Sequence, residues 1–402
     1  MNRVVVTGLG VIAALGKNTA EFSAGLKAGK SAIGPISIIE TEGLIMKIGA
    51  QVLDFDPLAH FQENKLSLYD RCTQFALVAA REAIAQSKLD FRTGLGARTA
   101  TIIGCGVGGQ GTQDENYQRL YFERMKRLHP LTIPKLMISA PCAHITMEHG
   151  LTGPSFVVAS ACSSANHAIG VAFQMVRSGM VETAVTGGTE AVFTFGTIRG
   201  WEALRVMAPD TCRPFSLGRK GMVLGEGAAV LVLETYERAQ ERGAEILAEI
   251  SGFGMTSDAS DIVTPALEGA SGAIAACLAD AKLAPEQVDY VNAHGTGTAA
   301  NDITETKALH KVFGEHAKTL AVSSTKSMHG HTLGAAGAIE VAATICAMRG
   351  GFIPPTANYT ERDPQCDLDY VPNEARTAPI GVAISNSFAF GGHNAVVAVK
   401  RV

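Results

Sequence analysis

The sequence predicts an α/β fold whose strands are covered on both faces and mostly parallel. Three observations carry this. Short β-branched runs alternate with longer Ala-rich stretches along the chain. Of 402 residues, 47% are hydrophobic, enough to bury a large core. Several Ala-rich stretches end near Gly or a Lys-rich turn, as helix C-termini do. Strands that alternate with helices in this way form crossover units, and such units build parallel sheets with helices on their faces.

In chain order, the strand candidates are "RVVVTG", "TATIIGCG", "SFVVASA", "TAVTGG", "GAAVLVLE", "VDYVNAHG", "LAVSST" and "GVAISNS". Between them lie helical patterns such as "CTQFALVAAREAIAQS", "ANHAIGVAFQMVRSG", "ASGAIAACLADAKL" and "AAGAIEVAATICAMRG". The opening "MNRVVVTGLGVIAALGKNT" has the charge and apolar run of a short signal peptide, but Gly8, Gly10 and Gly16 interrupt it. It reads as a first strand entering a turn, and a cytoplasmic protein is expected. No segment approaches the ~20 apolar residues of a membrane helix. "GLG" at residues 8–10 lacks the third glycine of a dinucleotide loop, since Ala13 stands in its place. A coarse internal echo suggests two halves, 1–250 with a cysteine motif and 251–402 with His/Lys motifs.

Charge and cysteine usage narrow the class. The net charge is −4 and no basic run stands out, which argues against nucleic acid as a partner. The eight cysteines are scattered without a C-x-x-C pair, as expected of reduced thiols in a large core.

Four stretches carry chemistry. In "VVASACSSANHAIG", Cys162 falls where a strand meets a helix. A helix N-terminus offers free N–H groups and partial positive charge, which favour a thiolate. Small neighbours would admit a carbonyl carbon. A buried structural cysteine is the equal alternative from this stretch alone. In "VNAHGTGTAAND", His294 enters a Gly/Thr loop in which Thr296 and Thr298 present hydroxyls; a capped strand end is the alternative. In "SSTKSMHGHTLGAAGAIE", Lys326 precedes His329 and His331 and should hold both neutral, while Glu340 follows within pairing reach of the lysine. A zinc site built from the two histidines and His294 is disfavoured, because the lysine repels a cation and the usual ligand spacing is missing. "SNSFAFGGHNAVVAV" reads either as a β-bulge with core aromatics or as a mobile flap facing the thiol.

Taken in this order, the motifs resemble those of the elongating β-ketoacyl-[acyl-carrier-protein] synthases of the thiolase-like superfamily, across essentially the whole chain. The resemblance implies a thiolase-like fold of duplicated βαβαβαββ halves in five α-β-α-β-α layers. It implies decarboxylative condensation of a malonyl unit with an acyl-enzyme thioester. Cys162 matches the nucleophile, His294 and His331 the decarboxylation histidines, Lys326 the lysine that organises them and Glu340 its glutamate. The N–H groups of Cys162 and Phe390 match the oxyanion hole, and Phe390 also matches the gating phenylalanine. Thr296 and Thr298 match residues that touch the phosphopantetheine arm, and Val107, Trp201 and Phe388 match acyl-pocket positions. Lys65, Lys126, Arg127 and Arg205 are the implied acyl-carrier-protein patch. The implied partners are acyl-carrier and malonyl-carrier thioesters and a second copy of the chain, with no metal or redox cofactor.

Within that family the sequence departs from the housekeeping pattern at His329, Ala389, His393 and Trp201, the only tryptophan. "WEALRVMAPDTCRPFS", "RKGMVLGEGA" and "PPTANYTERDPQCDLD" resemble the rhizobial nodulation-type ketosynthases, which elongate special, often polyunsaturated, acyl chains. A degradative thiolase would need a second cysteine in "NSFAFGGHN", which has none. A non-catalytic chain-length subunit and a housekeeping synthase are the other readings.

Overall fold

The computed structural model describes residues 1–402. Its first half runs β1 (Val4–Ala13), α1 (Arg71–Ser87), β2 (Thr99–Gly104), α2 (Ala140–His149), β3 (Ser155–Val158), α3 (Ser164–Arg177), β4 (Thr183–Glu190), α4 (Phe195–Ala203) and β5 (Gly227–Thr235). The second half runs β6 (Ala248–Ser257), α5 (Leu267–Ala281), β7 (Tyr290–Asn292), α6 (Ala299–Phe313), β8 (Ala321–Ser323), α7 (Ala336–Gly350), β9 (Val382–Ala389) and β10 (His393–Lys400).

The ten strands lie in the order β8-β7-β9-β10-β6-β1-β5-β4-β2-β3. Numbered within each half, both sets of strands follow the order 3-2-4-5-1. The pairing directions match as well. Three strands are parallel (β3, β2, β4 and β8, β7, β9), and two antiparallel strands follow (β5, β1 and β10, β6). The halves join where β1 and β6 pair antiparallel over Val4–Ile250, Val5–Glu249 and Val6–Ala248. Helices α1 and α2 cover the outer face of the first half, and α5 lies on β6 and β10 with α6 beside it. Helices α3 and α7 touch strands of both halves and form the central layer. The result is a five-layered thiolase-like architecture, with α4 inserted between β4 and β5.

Two strands depart from the expectation. β6 and β10 are full strands, and each half is mixed rather than mostly parallel. Their sequences, "AEISGFGMTS" and "HNAVVAVK", are Gly-rich or follow the flap directly, so neither stands out as an isolated β-branched run. Residue 250 lies inside β6, so the division by topology falls in the turn before Ala248.

Close approach explains the glycines. A Cβ at Gly8 or Gly10 would lie 2.0 Å from a carbonyl oxygen of α1, so these glycines let α1 lie directly on β1. β1 is buried along its whole length, which accounts for the apolar N-terminus. At Gly104, a Cβ would meet the backbone N of Ala165 at 2.4 Å. That glycine lets the first turn of α3 sit on the sheet, and the same turn carries the joint at Cys162. Leu333–Gly350, the one helical stretch long and apolar enough to cross a membrane, has 89% of its length buried within the protein.

Candidate active site

The central layer brings the two halves' chemistry together. After β3 the chain turns through Ala161, at φ 49°, and α3 begins at Ser164. Serines hold this turn. Ser160 N–H donates to Ser164 Oγ at 2.9 Å, and Ser164 Oγ donates to the Ala161 carbonyl at 2.6 Å. Ser163 Oγ donates to the His393 carbonyl at 2.7 Å and lies 3.0 Å from that of Ser387. Those two residues belong to the strands that flank Phe390, so the turn carrying Cys162 is tied to the β9–β10 turn.

His331 lies before α7 and reaches across the layer, with Nε2 3.0 Å from Cys162 Sγ. The Leu333 N–H donates to His331 Nδ1 at 3.2 Å. In a neutral imidazole that leaves the proton on Nε2, pointed at sulfur. The ring of His294 stands perpendicular to that of His331, with centroids 5.4 Å apart. Its far neighbour is Phe388, at 6.1 Å. Lys326 and Glu340 are fully buried and in contact.

Burial and one cation set the electrostatics. His294 and His331 are both held well below the ordinary imidazole value, first by burial and then by the Lys326 charge. They remain neutral donors at physiological pH. Burial pushes Glu340 up to about 7 against the pull of Lys326. The thiol corrects an expectation. Its place at a helix start should favour the thiolate, yet burial pushes Cys162 up to about 12, with the Lys326 charge opposing. The resting pair is therefore a thiol beside a neutral imidazole, and the site stabilises anions only as they form.

Residues not singled out from sequence hold the second histidine. Glu305, on α6, accepts the N–H groups of His294 and Gly295, each at 2.8 Å, and the amide of Asn386 at 3.0 Å. Asp302 accepts Gly297 N–H at 3.2 Å. The acidic residues in "NDITET", just after the Gly/Thr loop, were the available signal. Gly295 and Gly297 take φ of 35° and 80°, which only glycine adopts readily. Thr296 and Thr298 hydroxyls lie 2.9 Å apart at the rim.

A cavity of about 100 Å³ is lined by Cys162, His294, His331, Trp201, Phe388 and Phe390, with Thr296 and Thr298. That is less than the roughly 150 Å³ of a cavity that takes a benzene. The Trp201 indole stacks on Phe390, with centroids 5.9 Å apart and planes 27° apart. Val107 does not line this cavity and is 41% exposed. Lys65, Lys126, Arg127 and Arg205 are all exposed, and only Arg205 adjoins a wall residue, Val206. His329 is satisfied elsewhere: Nδ1 donates to the Gly330 carbonyl and Nε2 accepts from the Thr325 hydroxyl, both at 2.9 Å. The three histidines therefore do not converge on a metal.

The chain matches the N-terminal domain of β-ketoacyl synthases over residues 1–239 and the C-terminal domain over residues 247–360. It belongs to the β-ketoacyl synthase family. It is 47% identical over 400 residues to nodulation protein E of Rhizobium sp. (strain N33), covering 100% of this chain and 99% of that protein. It is 40% identical over 406 residues to 3-oxoacyl-[acyl-carrier-protein] synthase 2 of Staphylococcus aureus (strain COL), covering 99% and 98%. It superposes with a TM-score of 0.91 on a type II PKS ketosynthase solved in complex with its acyl-carrier protein and bound to the hexaketide, at 32% identity and full coverage of both chains. This ketosynthase is an acyltransferase of fatty acid or nodulation-type acyl-chain synthesis.

His329 gives a test of the site's electrostatics. Burial holds it at about 3, so the folded protein keeps it neutral where the unfolded chain, near 6.5, binds a proton. The unfolded state then binds more protons below 6.5, and this group's contribution to stability falls as pH falls. Measured against His329→Gln by denaturant titration, the wild type should lose about 1.4 kcal/mol per pH unit between roughly pH 6 and pH 4. A pH-independent difference would place His329 in a solvated environment.

Proposed function

We propose that Cys162 takes the acyl chain and that His294 and His331 support decarboxylation. The Cys162 sulfur attacks the acyl-carrier thioester carbonyl, and the N–H groups of Cys162 and Phe390 bind the oxyanion. Collapse of the intermediate expels the phosphopantetheine thiolate, which takes the thiol's proton. A malonyl-carrier thioester then enters along Thr296 and Thr298. Its C–C bond breaks and CO₂ leaves; the electron pair becomes an enolate whose oxygen is bound by the two imidazole N–H groups. The enolate carbon attacks acyl-Cys162 and expels the Cys162 thiolate, which regains a proton from solvent. Lys326, paired with Glu340, supplies the positive potential that both anions need. The 3.0 Å contact from His331 Nε2 to Cys162 Sγ is the observation that carries this reading.

The substrates ride on an acyl carrier protein, docked at basic residues that include Arg205, and the chemistry uses no metal. The likeness to nodulation protein E, together with Trp201 beside the gate, favours a specialised acyl chain. A homodimer is favoured by the edge strand β3, whose Phe156 is 40% exposed, and by exposed Tyr117, Tyr121 and Phe122.

Intact-protein mass spectrometry with a panel of acyl-carrier thioesters should show an adduct that vanishes in Cys162→Ala. His294→Ala and His331→Ala should still acylate while malonyl decarboxylation falls about 10²–10³-fold; full decarboxylation in both variants would refute their role. Trp201→Phe should shift the preferred chain length, and an unchanged product profile would remove the indole from the pocket. Light scattering should give twice the chain mass for the wild type and a larger monomer fraction for Phe156→Asp. An unchanged mass would place the interface elsewhere.

A further inference from the structure

Glu190 ends β4 and is fully buried. Its carboxylate is cradled by backbone from two distant segments. Oε2 accepts the N–H groups of Gly106 at 2.7 Å and Gly334 at 3.0 Å. Oε1 accepts the Val107 N–H at 3.3 Å and the Cys105 thiol at 3.5 Å. Both donors are glycines where space is short: a Cβ at Gly106 would lie 2.7 Å from Oε2, and one at Gly334 would lie 2.2 Å from the Gly106 backbone N and 2.5 Å from Oε2. No cationic side chain pairs with Glu190, and burial pushes it up to about 7 despite these N–H donors.

The segment it holds is the turn after His331. Leu333 sits at φ 46°, a left-handed conformation that costs a leucine energy and persists only when its surroundings impose it. The Leu333 N–H is the donor to His331 Nδ1. One residue on, the Gly334 N–H donates to Glu190. A continuous path therefore runs from the carboxylate through a strained turn to the imidazole, and from Nε2 to Cys162 sulfur.

We propose that Glu190 is a positioning residue: by holding Gly334 N–H, it fixes the turn whose Leu333 N–H keeps the His331 proton on Nε2, facing the thiol. This rests on the reading of His331 as an enolate donor, so the test separates the two. The imidazole ¹⁵N resonances of His331 are assigned by their loss in His331→Ala. In the wild type they should show a single Nε2-protonated tautomer. In Glu190→Gln, where an NH₂ replaces one acceptor oxygen, they should move towards a tautomer mixture. Malonyl decarboxylation should fall about 10- to 100-fold, because a displaced donor no longer meets the forming oxyanion. Acylation of Cys162 should stay within about threefold. Unchanged His331 resonances in a folded Glu190→Gln overturn the proposal even if activity falls, since a purely structural role would leave the tautomer alone. If Glu190→Gln does not fold, Glu190→Asp, which keeps the charge and retracts it by one methylene, is read by the same resonances. Full decarboxylation in His331→Ala would remove the enolate role from His331, and the resonances would still decide the role of Glu190.

Discussion

The site depends on one buried cation. Lys326 sits in the core beside Glu340, and its charge acts on each reactive group nearby. A charge in a low-dielectric interior acts strongly and over distance. Burial first, and this charge second, keep two imidazoles neutral, and the same charge partly offsets the burial that raises the Cys162 thiol to about 12. Removing water supplies the rest. The thiol is costly to ionise because it is buried, and an anion formed there is stabilised only by the N–H donors and the Lys326 charge, which act more strongly where water is excluded.

That electrostatic arrangement requires two chain halves to meet face to face. Each half brings a strand-to-helix turn with a strained residue, Ala161 before α3 and Leu333 before α7. Each turn places its reactive side chain, Cys162 or His331, at the head of a helix in the central layer. Small residues are needed where helices and strands approach to backbone distance. Gly104 and Gly188 admit Ala165, and Gly337 packs against Asn166. The fold's symmetry and the site's asymmetry thus have one origin: the same supersecondary unit used twice, with different side chains at equivalent turns.

One wall of the cavity at Cys162 comes from outside the repeated core. Trp201 comes from the inserted helix α4, and its indole packs on Phe390. Glu202 anchors that helix by accepting the N–H groups of Ile45 and Met46 at 2.7 and 2.8 Å. Phe390 therefore packs on an element outside the repeated core, where substitutions can alter the cavity without touching the turns that carry Cys162 and His331.

The sequence by itself determined the fold class, the order of the motifs and the identity of the residues that converge. Cys162, His294, Lys326, His331 and Glu340 each sit in a short stretch whose glycines and small residues report a turn or a close approach. Such features are local, and local chemistry is legible. Tertiary structure alone decided the rest. Strand direction in β6 and β10 follows from where the chain returns, not from its own pattern. Glu305 and Glu190 look like ordinary acids until the fold shows which N–H groups they meet. The helix position argued for a stabilised thiolate at Cys162, but burial outweighs it, because the cost of ionising a group is set by everything around it and not by its neighbours in sequence.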